Sequence, residues 1–322
     1  MKKILTIIIL FITGLVGFAQ QDIQFSMNMF NRLAVNPAYA GTNKALCATI
    51  LYRQQWLSFP GAPKTALLSL DYGQIAHGGI GLTIDQDQLG FDKTLKAKLA
   101  YSFHLPLGPG TLGIGLDAGM IQKSLSGNFI APDGTTSATG GTDNAIPWSG
   151  TSATTYDVGL GFYYTTNKLY VGVSALHLPE QTLSKKNGAA ADPKSYAFDF
   201  KVARHYYIMA GYTFNVNQSW EVIPSILTKS DASSTQLDAN LMAKWNKMVF
   251  AGVSYRLTDA IVAIVGLEKG FGKSTVKFGY SYDITTSNIK NHSSGSHEIM
   301  LGYCLKMEKP VKPQSHMNVR FL

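Results

Sequence analysis

The sequence predicts an all-β protein: a transmembrane antiparallel β-barrel of about 14 strands with a short periplasmic N-terminal segment. Three observations carry that expectation. Amphipathic segments with a period of two recur from about residue 46 to residue 305, separated by turn residues. An apolar leader opens the chain. Beyond it, no apolar run reaches the ~20 residues that a spanning helix needs. A closed sheet satisfies its backbone in lipid without such runs.

Residues 1–19 read as a secretory signal peptide. Lys2 and Lys3 give the positive start, Ile4 to Val16 the apolar run, and Gly17-Phe18-Ala19 the small residues before a cut. No Cys follows the cut, which argues against lipoprotein processing. Residues 20–45 do not alternate. A short helical turn is expected through Phe25–Phe30, then an Asn36-Pro37 turn. Phe25, Met29, Phe30 and Tyr39 would then need a burial surface, either the barrel mouth or a partner. The barrel follows over 46–305, and 306–322 form a periplasmic tail.

Within the barrel, strands are expected near 46–56, 64–72, 78–86, 93–105, 111–123, 154–164, 168–176, 205–215, 219–228, 236–245, 248–257, 260–269, 274–284 and 297–305. Tyr196 to Val202 also alternates, as a further strand or part of an external loop. Tight connections alternate with longer ones such as Ser124–Ala153, His177–Arg204 and Thr285–Ser296. Short turns on one side and long loops on the other fit an outer-membrane barrel, with the short turns periplasmic.

The phase of alternation assigns faces. Tyr156, Val158, Leu160, Phe162 and Tyr164 point to lipid, as do Val276, Phe278, Tyr280 and Tyr282. Arg53, Asp71, Asp85, Lys96, Lys98, Asp117, Asp157, Glu221, Asp238, Lys244, Arg256, Glu268, Lys277 and Asp283 point inward. That lumen has both signs of charge and suits a narrow, salt-bridged interior. Cys47 and Cys304 also share the inward phase, on first and last strands that adjoin in a closed barrel. They are candidates for a disulfide if register opposes them with Cα atoms within about 7 Å. Two free thiols are the alternative.

Composition agrees with the fold. Only 15% of residues are charged, while Tyr (16), Phe (16) and Gly (31) are plentiful. The net charge of +8 is scattered, with no basic run interleaved with aromatics, so nucleic acid is not an expected partner.

Chemistry-bearing motifs are few. Gly272-Lys273-Ser274-Thr275 ends like a phosphate loop, but Leu267 stands where its first Gly belongs, so a hairpin turn is expected. Asp85-Gln86-Asp87-Gln88-Leu89-Gly90 resembles a calcium loop without its closing Glu. The seven His residues show no paired metal spacing, and His77 and His177 read as interfacial. Ser102 and His104 share an inward face, as polar residues do on every strand. No catalytic residue, metal or cofactor is expected.

Four separated motifs carry a resemblance. They are Asp22-x-Gln24-Phe25-Ser26, Asn36-Pro37-Ala38-Tyr39-Ala40-Gly41, Tyr52-Arg53-Gln54-Gln55-Trp56 and Gly61-Ala62-Pro63-Lys64-Thr65. In order and spacing they resemble the N-terminal hallmark of the PorP/SprF family. The ending Asn318-Val319-Arg320-Phe321-Leu322 is also similar, with Val319 where a Pro is common. Beyond residue 70 the likeness is architectural. The resemblance implies an outer-membrane component of the type IX secretion and gliding machinery of Bacteroidetes-type bacteria. Its implied partners are outer-membrane lipid, periplasmic or peptidoglycan-linked secretion components, and secreted adhesin-like cargo. Phe25, Phe30, Asn36, Pro37, Tyr39, Gly41, Arg53 and Trp56 are the candidate partner-binding residues. The expected function is non-enzymatic support of export or surface anchoring. A passive or substrate-specific channel is the alternative, and a surface enzyme a more distant one.

Overall fold

The computed structural model describes residues 22–126, 150–186 and 196–307. The signal peptide, most of the Ser124–Ala153 loop and the tail beyond Met307 lie outside the described residues.

The strands are β1 (Ala45–Gln54), β2 (Lys64–Ile75), β3 (Gly78–Leu89), β4 (Asp92–Leu107), β5 (Gly110–Leu125), β6 (Thr151–Thr165), β7 (Leu169–Leu176), β8 (Thr182–Lys186) and β9 (Tyr196–Lys201). They continue as β10 (His205–Tyr212), β11 (Phe214–Asn215), β12 (Trp220–Ser230), β13 (Thr235–Trp245), β14 (Val249–Arg256), β15 (Ala260–Phe271), β16 (Ser274–Thr285) and β17 (Ser296–Lys306). Chain neighbours pair antiparallel along the wall, β1 pairs with β17, and β10 pairs with both β7 and β12. The sheet therefore closes. β8 and β9 pair only with each other, and the two-residue β11 prolongs β10 along β12, which leaves 14 staves. The alternating segment at Tyr196 is thus half of a hairpin outside the wall, not a stave.

Each stave follows its sequence pattern. Outward positions are apolar and exposed, while their neighbours are buried in the lumen. Tyr52, Tyr156, Tyr206 and Tyr255 ring the exterior towards the long-loop end, and Trp220, Trp245, Phe271 and Tyr303 ring it towards the short-turn end. Two such girdles flanking an apolar band mark the surface as lipid-facing. At the short-turn end Asn246 and Lys247 both have positive φ (47° and 56°), the geometry of a two-residue hairpin turn. Gly272 (φ 60°) sits in the β15–β16 hairpin, so that stretch is a turn.

Of the two burial surfaces open to the N-terminal segment, its described residues use the barrel interior. Three 3-10 turns, Asn28–Phe30, Arg32–Ala34 and Pro37–Tyr39, carry it along the lumen. Asp22 lies by Lys96 and His177 near the long-loop end, and Gly41 lies by Gly73 and Gly79 at the short-turn end, where β1 begins. The segment is a plug.

At the barrel seam Cys47 and Cys304 are directly opposed in the β1–β17 register. Their Cα atoms are 4.1 Å apart and their sulfurs are bonded.

Candidate functional site

The plug is fastened to the wall at three levels. On the β1–β17 side of the lumen, near the long-loop ends of those strands, Glu298 accepts from the backbone N–H groups of Ser26 and Met27, both at 2.7 Å. The Ser26 hydroxyl donates to Asp283 at 2.8 Å and accepts from Arg53 at 2.7 Å. Arg53 pairs with Asp283 (2.7 Å) and Glu298 (3.2 Å), while Arg256 pairs with Asp283 (3.0 Å) and Asp238 (3.4 Å). All of these side chains are buried. Charges so deep are tolerated only when paired and hydrogen-bonded, and Ser26 completes the pairing. Phe25 packs on Leu51 and Leu67 beside it.

Towards the short-turn end, Asn36 caps the last 3-10 turn. Its Oδ1 accepts from Ala38 N–H at 2.9 Å, and its Nδ2 donates to Phe162 O (3.0 Å) and Val173 O (3.4 Å). Glycines make the approach passable: a methyl at Gly115 would overlap the backbone of Pro37 and Ala38. Gly41 (φ 73°) nests against the wall glycines, where an added Cβ would come within 2.8 Å of Gly73 Cα. Ser102 donates to Ala38 O at 2.8 Å, and His104 contacts Ala40 O at 3.0 Å. The inward Ser-His pair of the sequence is therefore a plug fastening. Arg32 lies over the Tyr170 ring (3.7 Å) and donates to Tyr163 at 2.9 Å, with Tyr39 edge-on to Tyr163. Burial pushes the Tyr39 phenol up from its ordinary value, despite the adjacent Arg32 cation.

At the long-loop end, Asp22 meets an ion-pair partner in Lys96, the Tyr207 hydroxyl (2.8 Å), His177 Nε2 (3.4 Å) and His205 Nε2 (3.1 Å, from Asp22 N–H). Burial opposes charge on this carboxyl, but the Lys96 ammonium beside it outweighs burial and holds it well below the usual range. His177 is buried in the lumen, which corrects the interfacial reading. It turns inward because Asp157 engages its Nδ1 at 2.8 Å. No sequence spacing announced this group, since its members lie on the plug, β4, a loop and β10.

The plug separates two cavities. One of about 470 Å³ opens at the short-turn end, against Phe30, Arg32, Tyr39 and Lys277. The other, about 290 Å³, opens at the long-loop end, against Asp22, His177 and His205.

Seven of the eight candidate partner-binding residues thus meet at one plug–wall interface: Phe25, Phe30, Asn36, Pro37, Tyr39, Gly41 and Arg53. Of these, Phe30 and Tyr39 are half-buried beside the short-turn cavity, and the Phe30 ring packs tilted against Phe250, centroids 4.9 Å apart. Trp56 lies apart on the long-loop rim, where its N–H donates to Ser296 Oγ at 3.0 Å. Glu298 and Lys229, which the sequence did not single out, belong to the interface, as does Ser26 of the first motif. The alternation that marks Met300 and Gly302 as inward also marks Glu298.

The CymD monoaromatic hydrocarbon channel superposes with a TM-score of 0.49 at 13% identity, over 92% of this chain and 96% of that one. The Pseudomonas putida toluene transporter TodX gives 0.49 at 13%, over 85% and 93%. The Acinetobacter baumannii outer membrane protein Omp33 gives 0.41 at 7%, over 82% and 99%. No curated protein matches the sequence. The profile of the type IX secretion system membrane protein PorP/SprF matches residues 17–303, the whole plug and nearly all of the barrel. The chain is an outer-membrane β-barrel and belongs to the PorP/SprF family of type IX secretion system membrane proteins.

Proposed function

We propose that this protein is a non-enzymatic scaffold of the type IX machinery that supports export or surface anchoring of particular adhesin-like cargo. One observation carries the reading: the family's signature residues hold a plug inside the lumen, so the barrel offers its partners surfaces rather than a passage. In this account the short-turn end is periplasmic. Its turns, the half-buried Phe30 and Tyr39 and the tail after Lys306 would receive periplasmic or peptidoglycan-linked components. The long loops would contact cargo outside. A passive channel would need a continuous lumen, and Ser26, Arg53 and Asn36 stand across it.

Deleting Gln21–Gly41 while keeping the signal peptide tests this. The expected result is an inserted, heat-modifiable barrel that no longer supports cargo export or retention. Normal cargo display from an inserted deletion variant would remove the segment from the mechanism. Failure to insert would assign the segment to folding alone.

A further inference from the structure

We propose that Asp22, His177 and His205 form a site for a divalent metal ion of the zinc class at the long-loop end of the lumen. His177 Nδ1 faces Asp157 Oδ2 at 2.8 Å, and His205 Nδ1 faces the carbonyl of Ala203 at 3.0 Å. A carboxylate and a carbonyl only accept, so both Nδ1 atoms carry the hydrogen. The lone pair of each neutral ring then sits on Nε2, and both Nε2 atoms point at Asp22. This is the outer-shell arrangement that fixes the tautomer of metal-ligating histidines, with a carboxylate behind one ring and a carbonyl behind the other.

The distances suit an ion. His177 Nε2 and Asp22 Oδ2 are 3.4 Å apart, a spacing that either a proton or a bound metal ion bridges. Tetrahedral ligands about 2.0–2.1 Å from zinc lie roughly 3.3–3.4 Å from one another. One donor atom from each of the three residues falls within 4.8 Å of the other two. Two imidazole nitrogens and one carboxylate oxygen make a borderline donor set, which selects zinc-like ions over magnesium or calcium.

The surroundings complete the site. Tyr207 donates to Asp22 Oδ2 at 2.8 Å, orienting the carboxylate, while Lys96 occupies Oδ1 and Lys229 donates to the Asp22 carbonyl at 2.9 Å. An ion would displace the bond from Asp22 N–H to His205 Nε2, at 3.1 Å, and the contact between His177 Nε2 and Asp22 Oδ2. Access comes from the cavity of about 290 Å³ that Asp22, His177 and His205 line together with Asp87 and Asp92. An ion bound there would clasp the outer end of the plug to the end of β7 and the start of β10.

The test uses the full chain in detergent after chelator treatment, titrated with Zn²⁺ by calorimetry. One ion per chain is expected. Asp157→Asn, which removes the carboxylate behind His177, should weaken binding roughly 10–100-fold, and His177→Gln or His205→Gln by more. His297→Ala, on β17, should bind as the wild type does. Heat-modifiable migration identifies the variants that fold. Because a variant can fail to fold, Cu²⁺ bound to the wild-type chain is read by electron paramagnetic resonance, where coupling to two imidazole nitrogens is expected. The absence of saturable Zn²⁺ binding, unchanged affinity in a folded His177→Gln/His205→Gln variant, or a copper signal without two imidazole nitrogens would overturn the proposal. In that case a proton on His177 would do what the ion is proposed to do.

Discussion

Replacing Asn36 with Ala should loosen the plug without unfolding the barrel. The side chain caps a 3-10 turn by accepting from Ala38 N–H at 2.9 Å, and such a cap is worth about 1 kcal/mol. It also donates to Phe162 O at 3.0 Å and Val173 O at 3.4 Å, and each bond contributes about 0.5–1.5 kcal/mol, the longer at the low end. The wall there is glycine, with an added Cβ at Gly172 coming within 2.9 Å of the amide, so the wall residue itself has no side chain to fill the space left. The sum is about 2–4 kcal/mol, or roughly a 30- to 800-fold shift in the equilibrium between docked and released plug. Hydrogen exchange at the Phe25–Gly41 amides reads that shift directly. The amides of the variant should exchange faster by this factor, while β1–β17 pairing stays protected. Plug exchange within threefold of wild type would refute the assignment of Asn36 as an anchor.

Two further outcomes follow from the wall itself. Leu160→Arg places charge in the lipid-facing row, opposite Leu116, and should cost about 2–4 kcal/mol, read as lost heat-modifiable migration. Asp157→Asn, on the buried face, keeps a hydrogen-bond partner for His177 and should be milder, whereas Asp157→Arg would break the buried pairs with His177 and Lys98. Matching behaviour of Leu160→Arg and Asp157→Asn would mean the phase is wrong. The unreduced, unfolded protein should expose no labelled thiol, since Cys47 and Cys304 are bonded across the seam. With the two cysteines separated by 257 positions, Cys47→Ser should remove about 5.5 kcal/mol in the chain-entropy account, and two labelled cysteines would exclude the bridge.

The wall was legible because its physics is local. A stave in lipid must alternate, so Lys96, Lys98, Asp117 and Asp157 declare the lumen wherever they interrupt an apolar row. Cys47 and Cys304 could be placed on one face for the same reason. The plug was not legible in this way. Phe25 and Met29 show only that a surface is needed, and a single chain without periodicity does not say which. The fastenings join residues far apart: Ser26 meets Glu298 across 272 positions and Asp283 across 257. The His177–His205 pair escaped notice because the hairpin of β8 and β9 lies between them in sequence. The plug brings Asp22 to them.

The most direct test of the account is conductance of the purified protein in a planar bilayer. The wild-type barrel, with Ser26, Arg53 and Asn36 holding the plug in place, should insert without steady conductance. The variant lacking residues 22–41 should show a persistent ohmic current. A wild-type chain that conducts as freely as the deletion variant would contradict the plugged scaffold and restore the channel reading.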